Sequence, residues 1–228
     1  MPDSNEPIRI VACDRDGVIN PMVFKKWSWI PEQIDGIWDS PMEASELILL
    51  PEAGQAIRRL NEAGIFVVLF SDQPHIGRGK YPLRTHWAIR HRLPQLLQEH
   101  RAWLDGFYYC LHTTIPTPYS DHRFVKECDC QKPGTGSLKR ASEDFVIPFS
   151  QFLVIDDSVA GIKAGQQFGC RTILISNPDT EKWHGIGRHP PDWNSIKPTV
   201  VKGSLQNAVD WILGQQDQSQ SAKPTKGG

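Results

Sequence analysis

Short, continuously apolar runs alternate along the chain with segments whose apolar positions recur every three or four residues. The runs at 8–13 (Ile-Arg-Ile-Val-Ala-Cys), 65–70, 107–111, 152–155 and 172–175 predict strands. Several carry no polar face, as strands buried on both sides require. The segments at 52–63, 81–100, 135–145 and 159–168 predict helices, with a bend expected at Pro94 in the second. Residues 199–202 and 205–213 add a short strand and a closing helix. Strand and helix in alternation predict a Rossmann-like α/β fold: a mostly parallel sheet, right-handed crossovers, helices on both faces and no large cap domain. In such a sheet ligands gather beyond the carboxyl ends of the strands, so the residues just after each apolar run carry the functional information.

Two stretches fall outside this alternation. Residues 25–50 separate the first strand from the first helix and contain Trp27, Trp29 and Trp38 among prolines and acidic residues; residues 177–197 read as a Pro- and Trp-containing loop. Long ordered loops are uncommon unless they have a task. Residues 214–228 are rich in Gln, Ser, Lys and Gly and are expected to be disordered. The expected domain therefore spans 8–213, with an insertion at about 25–50.

At 228 residues the chain is long enough to bury one sizeable core, and 25 Lys and Arg against 26 Asp and Glu leave a formal charge of −1. That balance argues against a nucleic-acid coat and favours a small-molecule partner. No run approaches the ~20 apolar residues of a membrane span, and a cytoplasmic location is expected. The cysteines number five and sit at 13, 110, 128, 130 and 170. An odd count with three clustered near a histidine suits a metal in a reducing compartment better than a disulfide framework.

After the first strand comes Asp14-Arg15-Asp16-Gly17-Val18-Ile19-Asn20, two carboxylates two residues apart. Asp and Gly also close strands, so a turn and a catalytic pair are both open on spacing alone. A calcium loop is excluded, because Gly17 is misplaced and Lys25 stands where the bidentate Glu belongs. In the catalytic reading one carboxylate attacks phosphorus, the other moves a proton, and magnesium offsets the charge. Ser71-Asp72-Gln73 follows the second strand, where a hydroxyl can bond a phosphate oxygen or cap a turn. Asp156-Asp157-Ser158 follows the fourth strand, as a helix start or as hard oxygen ligands for magnesium. Lys132-Pro133-Gly134 precedes a helix whose first amides suit an anion.

The order Asp14-x-Asp16, Ser71, Lys132 and Asp156-Asp157 resembles the haloacid dehalogenase superfamily of phosphatases. That resemblance implies Asp14 as nucleophile, and Asp16 as general acid and base and as a magnesium ligand through its carbonyl. It also implies Ser71 and Lys132 as the phosphate clamp, and Asp156, with Asp157 beside it, as magnesium ligands. Cys110-x-His112 and Cys128-x-Cys130 offer three thiolates and one imidazole, a soft set suited to tetrahedral zinc. Four filled positions leave no room for reacting water, so a structural ion in a zinc loop at 110–130 is expected. Of the eight histidines only His112 receives a role.

The zinc loop, the Asp14 motif and the run from Gln73 to His75-Ile76-Gly77-Arg78-Gly79 are similar to the branch of D-glycero-D-manno-heptose 1,7-bisphosphate 7-phosphatases, with the histidinol phosphatases as near relatives. The branch implies a compact monomer acting on a small phosphorylated metabolite, with Asp72, Gln73 and Arg78 in the substrate-binding set. Arg78 and Lys80 are candidates for substrate charge, and Trp27 or Trp29 for stacking on a sugar or for packing the insertion. The chain departs from the branch at Ser71-Asp72-Gln73 for Thr-Asn-Gln, at Gln131 for Arg and at Ile155 for Gly. A sugar bisphosphate is the first substrate expectation, histidinol phosphate the second and a nucleic-acid 3′-phosphate the third; a non-catalytic scaffold is the rival of another class.

Overall fold

The computed structural model describes residues 6–26, 36–185 and 192–221. Six strands form one parallel sheet: β1 (Ile10–Cys13), β4 (Phe66–Asp72), β5 (Gly106–Cys110), β6 (Phe152–Asp156), β7 (Arg171–Ile175) and β8 (Val200–Lys202). Their order is β5-β4-β1-β6-β7-β8, every neighbouring pair parallel. The chain therefore winds outward from β1 in one direction, returns, and winds outward in the other. The reversal lies between β1 and β6, where Cys13 stands beside Ile155.

Alternate side chains of the central strands feed two cores. Val11, Cys13, Val67, Leu69, Leu153 and Ile155 meet α1 (Ala53–Glu62), α2 (Leu83–Gln98) and α6 (Leu205–Ser221) on one face. Ile10, Ala12, Val68, Phe70, Phe152 and Val154 meet α3 (Gly136–Phe145) and α4 (Val159–Phe168) on the other. Two-sided burial explains why these strands show no period-two pattern. Pro94 lies inside α2, which continues through it to Gln98.

The region read as a loop at 25–50 contains the return of an antiparallel hairpin, β2 (Val23–Lys25) paired with β3 (Ile37–Asp39), followed by a single 3-10 turn at Ala44–Glu46. Three-residue strands are too short to show a period; aromatic contact holds this one, with Phe24 and Trp38 rings 5.2 Å apart. Trp27 and Trp29 lie outside the described residues.

The region read as a loop at 177–197 holds α5 (Pro178–Gly185). Asn177 Oδ1 accepts from the amides of Asp179 and Thr180, and Pro178 occupies the first helical position, a local start signal the apolar pattern does not show. Trp183 of α5 packs on Trp38, centroids 6.2 Å apart, which ties α5 to the hairpin.

The expectation of disorder from residue 214 does not hold as far as Ser221, where α6 ends. Gln is a good helix former, and Gln216 donates to the Ile8 carbonyl at 2.9 Å. Residues 222–228 lie outside the described set. No helix among the described residues is long and apolar enough to cross a membrane.

Candidate active site

The sheet reversal brings the ends of β1 and β6 side by side, and with them Asp14 and Asp156. Lys132, arriving from the cysteine-rich loop, extends its ammonium between them and donates to Asp14 Oδ1 at 2.8 Å and Asp156 Oδ2 at 2.7 Å. Its Nζ also sits 4.5 Å from the centre of the Phe70 ring. All three side chains are buried, and so is Asp157. Burial alone would disfavour the Lys132 charge, but Asp14, Asp156 and Asp72 outweigh it and raise its pKa. Asp14 is pushed up to about 8, first by burial and then by Asp156, Asp157 and Asp16, against the pull of Lys132.

One ammonium thus faces three carboxylates, Asp14, Asp156 and Asp157, whose oxygens lie within 4.8 Å of one another. Hard carboxylate oxygens that outnumber the one ammonium beside them are the donor set a divalent ion such as magnesium takes. The groups around Asp156 fix its direction: Ser158 donates to Oδ1 through its amide at 2.9 Å and its hydroxyl at 2.6 Å, while the same hydroxyl caps α4 at the Gly161 amide. A side chain at position 161 would overlap the Asp156 carboxylate, so glycine stands there.

Asp16 is bound differently. Its carboxylate accepts from Arg15, from Asn20 at 2.9 Å, from Ser40 at 2.9 Å and from Gln73 at 2.6 Å. Burial opposes ionisation, yet Arg15 and these hydrogen bonds hold Asp16 below the ordinary carboxylate range. Gln73 is wholly buried and spans Arg15, Asp16 and Ser71, so it orients Asp16 rather than reaching the cavity. Ser71 Oγ accepts from Gln73 Nε2 at 3.1 Å. Asp72 accepts the Lys132 amide at 2.9 Å, and burial pushes its carboxyl up to about 7.

A cavity of about 230 Å³ opens over these groups, with Asp14, Asp16, Asp72, Arg78, Lys132 and Asp157 on its surface. Residues absent from the sequence-derived set also line it: Asp39 and Ser40 from the hairpin, His75 from the turn after β4, and His184 from α5. His184 lies 3.1 Å from Asp157 through Nε2. No sequence pattern signals Asp39 or Ser40, because the hairpin's return toward Asp16 and His75 is a tertiary event. His75 and His184, which received no role from the sequence, both stand on the cavity wall. Lys80, a candidate for substrate charge, is instead paired with Asp39.

Beyond β5 the sequence-derived zinc ligands converge. Cys110 Sγ lies 3.6 Å from Cys128 Sγ and 3.2 Å from Cys130 Sγ, and His112 Nδ1 lies 3.2 Å from Cys130 Sγ. Tetrahedral zinc with ordinary bond lengths has ligand edges of roughly 3.5–3.8 Å. The four ligand atoms all lie within 4.8 Å of one another, close enough for one ion to draw them in, and all five cysteines are free thiols. Hydrogen bonding with Cys110 leads the causes that bring Cys130 down to about 5, toward the thiolate a metal needs. The loop between these ligands lies against the turn that carries Arg78: Thr117 Oγ1 donates to the Arg78 carbonyl at 2.9 Å.

The reversal-point carboxylates, the bridging lysine and the six-stranded parallel sheet are those of a phosphatase of the haloacid dehalogenase class. No family model matches the chain. It is 30% identical over 208 residues, 90% of this chain and 96% of the other, to the D-glycero-D-manno-heptose-1,7-bisphosphate 7-phosphatase of Thermosynechococcus vestitus. It is also 30% identical over 217 residues, 92% and 97% of the two chains, to the enzyme of that name from Chlorobaculum tepidum. Among solved structures it resembles the D,D-heptose 1,7-bisphosphate phosphatase of B. bronchiseptica complexed with magnesium and phosphate, with a TM-score of 0.67 and 24% identity over 91% of this chain and 99% of that one. That likeness concerns the fold. By its sequence relatives the chain belongs to the D-glycero-D-manno-heptose-1,7-bisphosphate 7-phosphatase family.

Proposed function

We propose that this protein is a magnesium-dependent phosphomonoester hydrolase acting on a small phosphorylated sugar, with D-glycero-D-manno-heptose 1,7-bisphosphate as the first substrate to test. The observation that carries the reading is Lys132 held between Asp14 and Asp156 at the sheet reversal, beside a third buried carboxylate. The named substrate comes from the relatives, which cover nearly the whole chain.

In this reading Lys132 and the Ser71 hydroxyl hold the transferring phosphoryl group in the cavity. The Asp14 carboxylate attacks phosphorus in line, forming an aspartyl-phosphate as the bond to the leaving oxygen breaks. Asp16, ionised in the resting network, takes up a proton from solvent as it leaves part of that hydrogen-bond set, gives it to the leaving oxygen, then takes one from the water that attacks the aspartyl-phosphate, releasing phosphate and restoring Asp14. To reach the leaving oxygen Asp16 gives up part of its hydrogen-bond set, with Ser40 and Gln73 fixing where it returns. Magnesium, when held by Asp14, Asp156, the Asp16 carbonyl and the neighbouring Asp157, supplies positive charge that keeps Asp14 ionised and offsets the phosphate. Zinc held by Cys110, His112, Cys128 and Cys130 is structural, and the enzyme works as a cytoplasmic monomer.

The test is phosphate release, with and without magnesium, from heptose 1,7-bisphosphate, other sugar phosphates, histidinol phosphate and a 3′-phosphorylated oligonucleotide, with Asp14→Asn as control. Turnover of a sugar phosphate that requires magnesium and vanishes in the variant supports the reading. Turnover that persists in Asp14→Asn, or its absence across the panel from folded, zinc-loaded protein, overturns it.

A further inference from the structure

The three carboxylates at the sheet reversal share a pattern: protein donors already hold one oxygen or both of each. Lys132 donates to Asp14 Oδ1 and to Asp156 Oδ2, and Ser158 donates twice to Asp156 Oδ1. For Asp157 the partner is His184, whose Nε2 lies 3.1 Å from Oδ2. That oxygen also occupies the space which glycine leaves at position 17. Asp157 Oδ1 accepts no hydrogen bond from the described residues, and Asp157 forms part of the cavity surface.

His184 comes from α5, outside the residues the proposed reaction uses, and its place is fixed from two sides. Trp183 packs on Trp38, and the Lys182 ammonium stands 5.0 Å from the centre of the same ring, which anchors α5 to the hairpin. Trp193 meets the imidazole edge to face, centroids 6.1 Å apart and planes at 82°. A carboxylate that holds a metal ion is ionised and only accepts, so the hydrogen between the pair sits on His184 Nε2. The imidazole commits Oδ2 to a hydrogen bond and leaves an incoming ion the other oxygen. Magnesium demands a compact octahedron and keeps several waters, so one oxygen from a carboxylate serves it. Calcium takes more oxygens and gains from carboxylates that offer both.

We propose that His184 is a positioning residue that sets the choice of ion: by holding Asp157 Oδ2 it confines that carboxylate to one-oxygen coordination, favouring magnesium over calcium. The inference rests on the magnesium reading of this site and adds what disfavours the larger ion. A hydrogen-bond partner behind a metal-binding side chain typically accounts for roughly 10- to 100-fold in metal affinity.

The experiment measures dissociation constants for magnesium and for calcium on the zinc-loaded chain without substrate, from the rise of melting temperature with ion concentration. The unaltered protein should bind magnesium the more tightly. In His184→Ala the magnesium constant should rise tenfold or more while the calcium constant stays level or falls, because the freed Oδ2 gives calcium a further ligand. His184→Gln, whose amide nitrogen stands near the place of Nε2, should keep most of the preference. His184→Leu fills the place of the ring without a donor; it should lose the preference as the alanine variant does, and it covers failure of that variant to fold. Equal weakening of both ions, an unchanged ratio, or a calcium preference in the unaltered protein overturns the inference and leaves His184 a structural residue. Response of the unaltered protein to neither ion instead overturns the magnesium reading, and this inference with it.

Discussion

Gly17 and Asp157 approach so closely that a β-carbon at position 17 would stand 1.9 Å from Asp157 Oδ2. Gly17 also has φ +90, a backbone region that side-chain-bearing residues avoid. The turn after β1 is therefore shaped to admit a carboxylate from the turn after β6, and the two acidic segments fit as one piece.

Gly17→Ala is expected to destabilise the fold by roughly 1–3 kcal/mol from strain and to displace Asp157. Thermal melts with and without magnesium check it. The variant should melt lower and gain less from the ion; an unchanged gain would show that Asp157 stands apart from the metal.

Lys132→Met should cost about 3–5 kcal/mol, since it leaves Asp14 and Asp156 buried without their cation. It should also abolish turnover. Urea unfolding in magnesium-free buffer measures the loss, and added magnesium should recover part of it by replacing the missing charge. A loss of stability that magnesium leaves untouched would contradict the shared site.

Asp72 gives a pH dependence of defined sign. Burial, over the opposing pull of Lys132, raises its folded pKa to about 7, while the unfolded chain titrates near the ordinary carboxylate value of about 4. Between those values the folded chain binds the extra proton. The resulting stabilisation is full below about pH 4 and disappears as pH rises through 7. Asp72→Asn keeps an acceptor for the Lys132 amide and removes the ionisation. With magnesium omitted, the variant should be more stable than the unaltered protein at pH 8 by a few kcal/mol, with the gap closing toward pH 4. Parallel stability curves would refute the assignment.

Cys128→Ser should lower zinc content from about one ion per chain and loosen the loop that rests on the Arg78 turn. Because that contact positions cavity residues rather than the reacting carboxylates, KM should rise by more than kcat falls. Metal analysis paired with steady-state kinetics tests both parts.

The chemistry-bearing residues were legible in the sequence to the extent that strands deliver them. Asp14, Ser71 and Asp156 each follow or end a buried apolar run, and parallel strands carry their ends to one side of a sheet. The cysteine pairs were legible because soft ligands two residues apart have few other uses. The hairpin was not, since three-residue strands show no period and their aromatic contacts are made across the fold. Asp39, Ser40 and His184 were hidden with it, each reaching the cavity from a segment that looks like loop. His75 stood in view within a motif, but its partner Asp39 belongs to the hairpin, and without that partner nothing distinguishes it from a surface histidine. Gln73, read as a substrate ligand, is wholly buried and donates to Asp16, a contact that only the buried network reveals.

The placement of β1 between β4 and β6 also bears on how the chain acquires its site. Lys132 and Asp14 are 118 residues apart in sequence, and β6, which completes the pocket, follows later still. During synthesis β1 can pair with β4 on one side while its other edge waits, apolar and unpaired, until most of the chain has emerged. Nonlocal parallel pairing of this kind is slow and exposes an edge prone to wrong partners. Folding delay and the assembly of the reaction centre thus share one cause, and a chain stalled before β6 would offer a sticky ribbon with no capacity for catalysis.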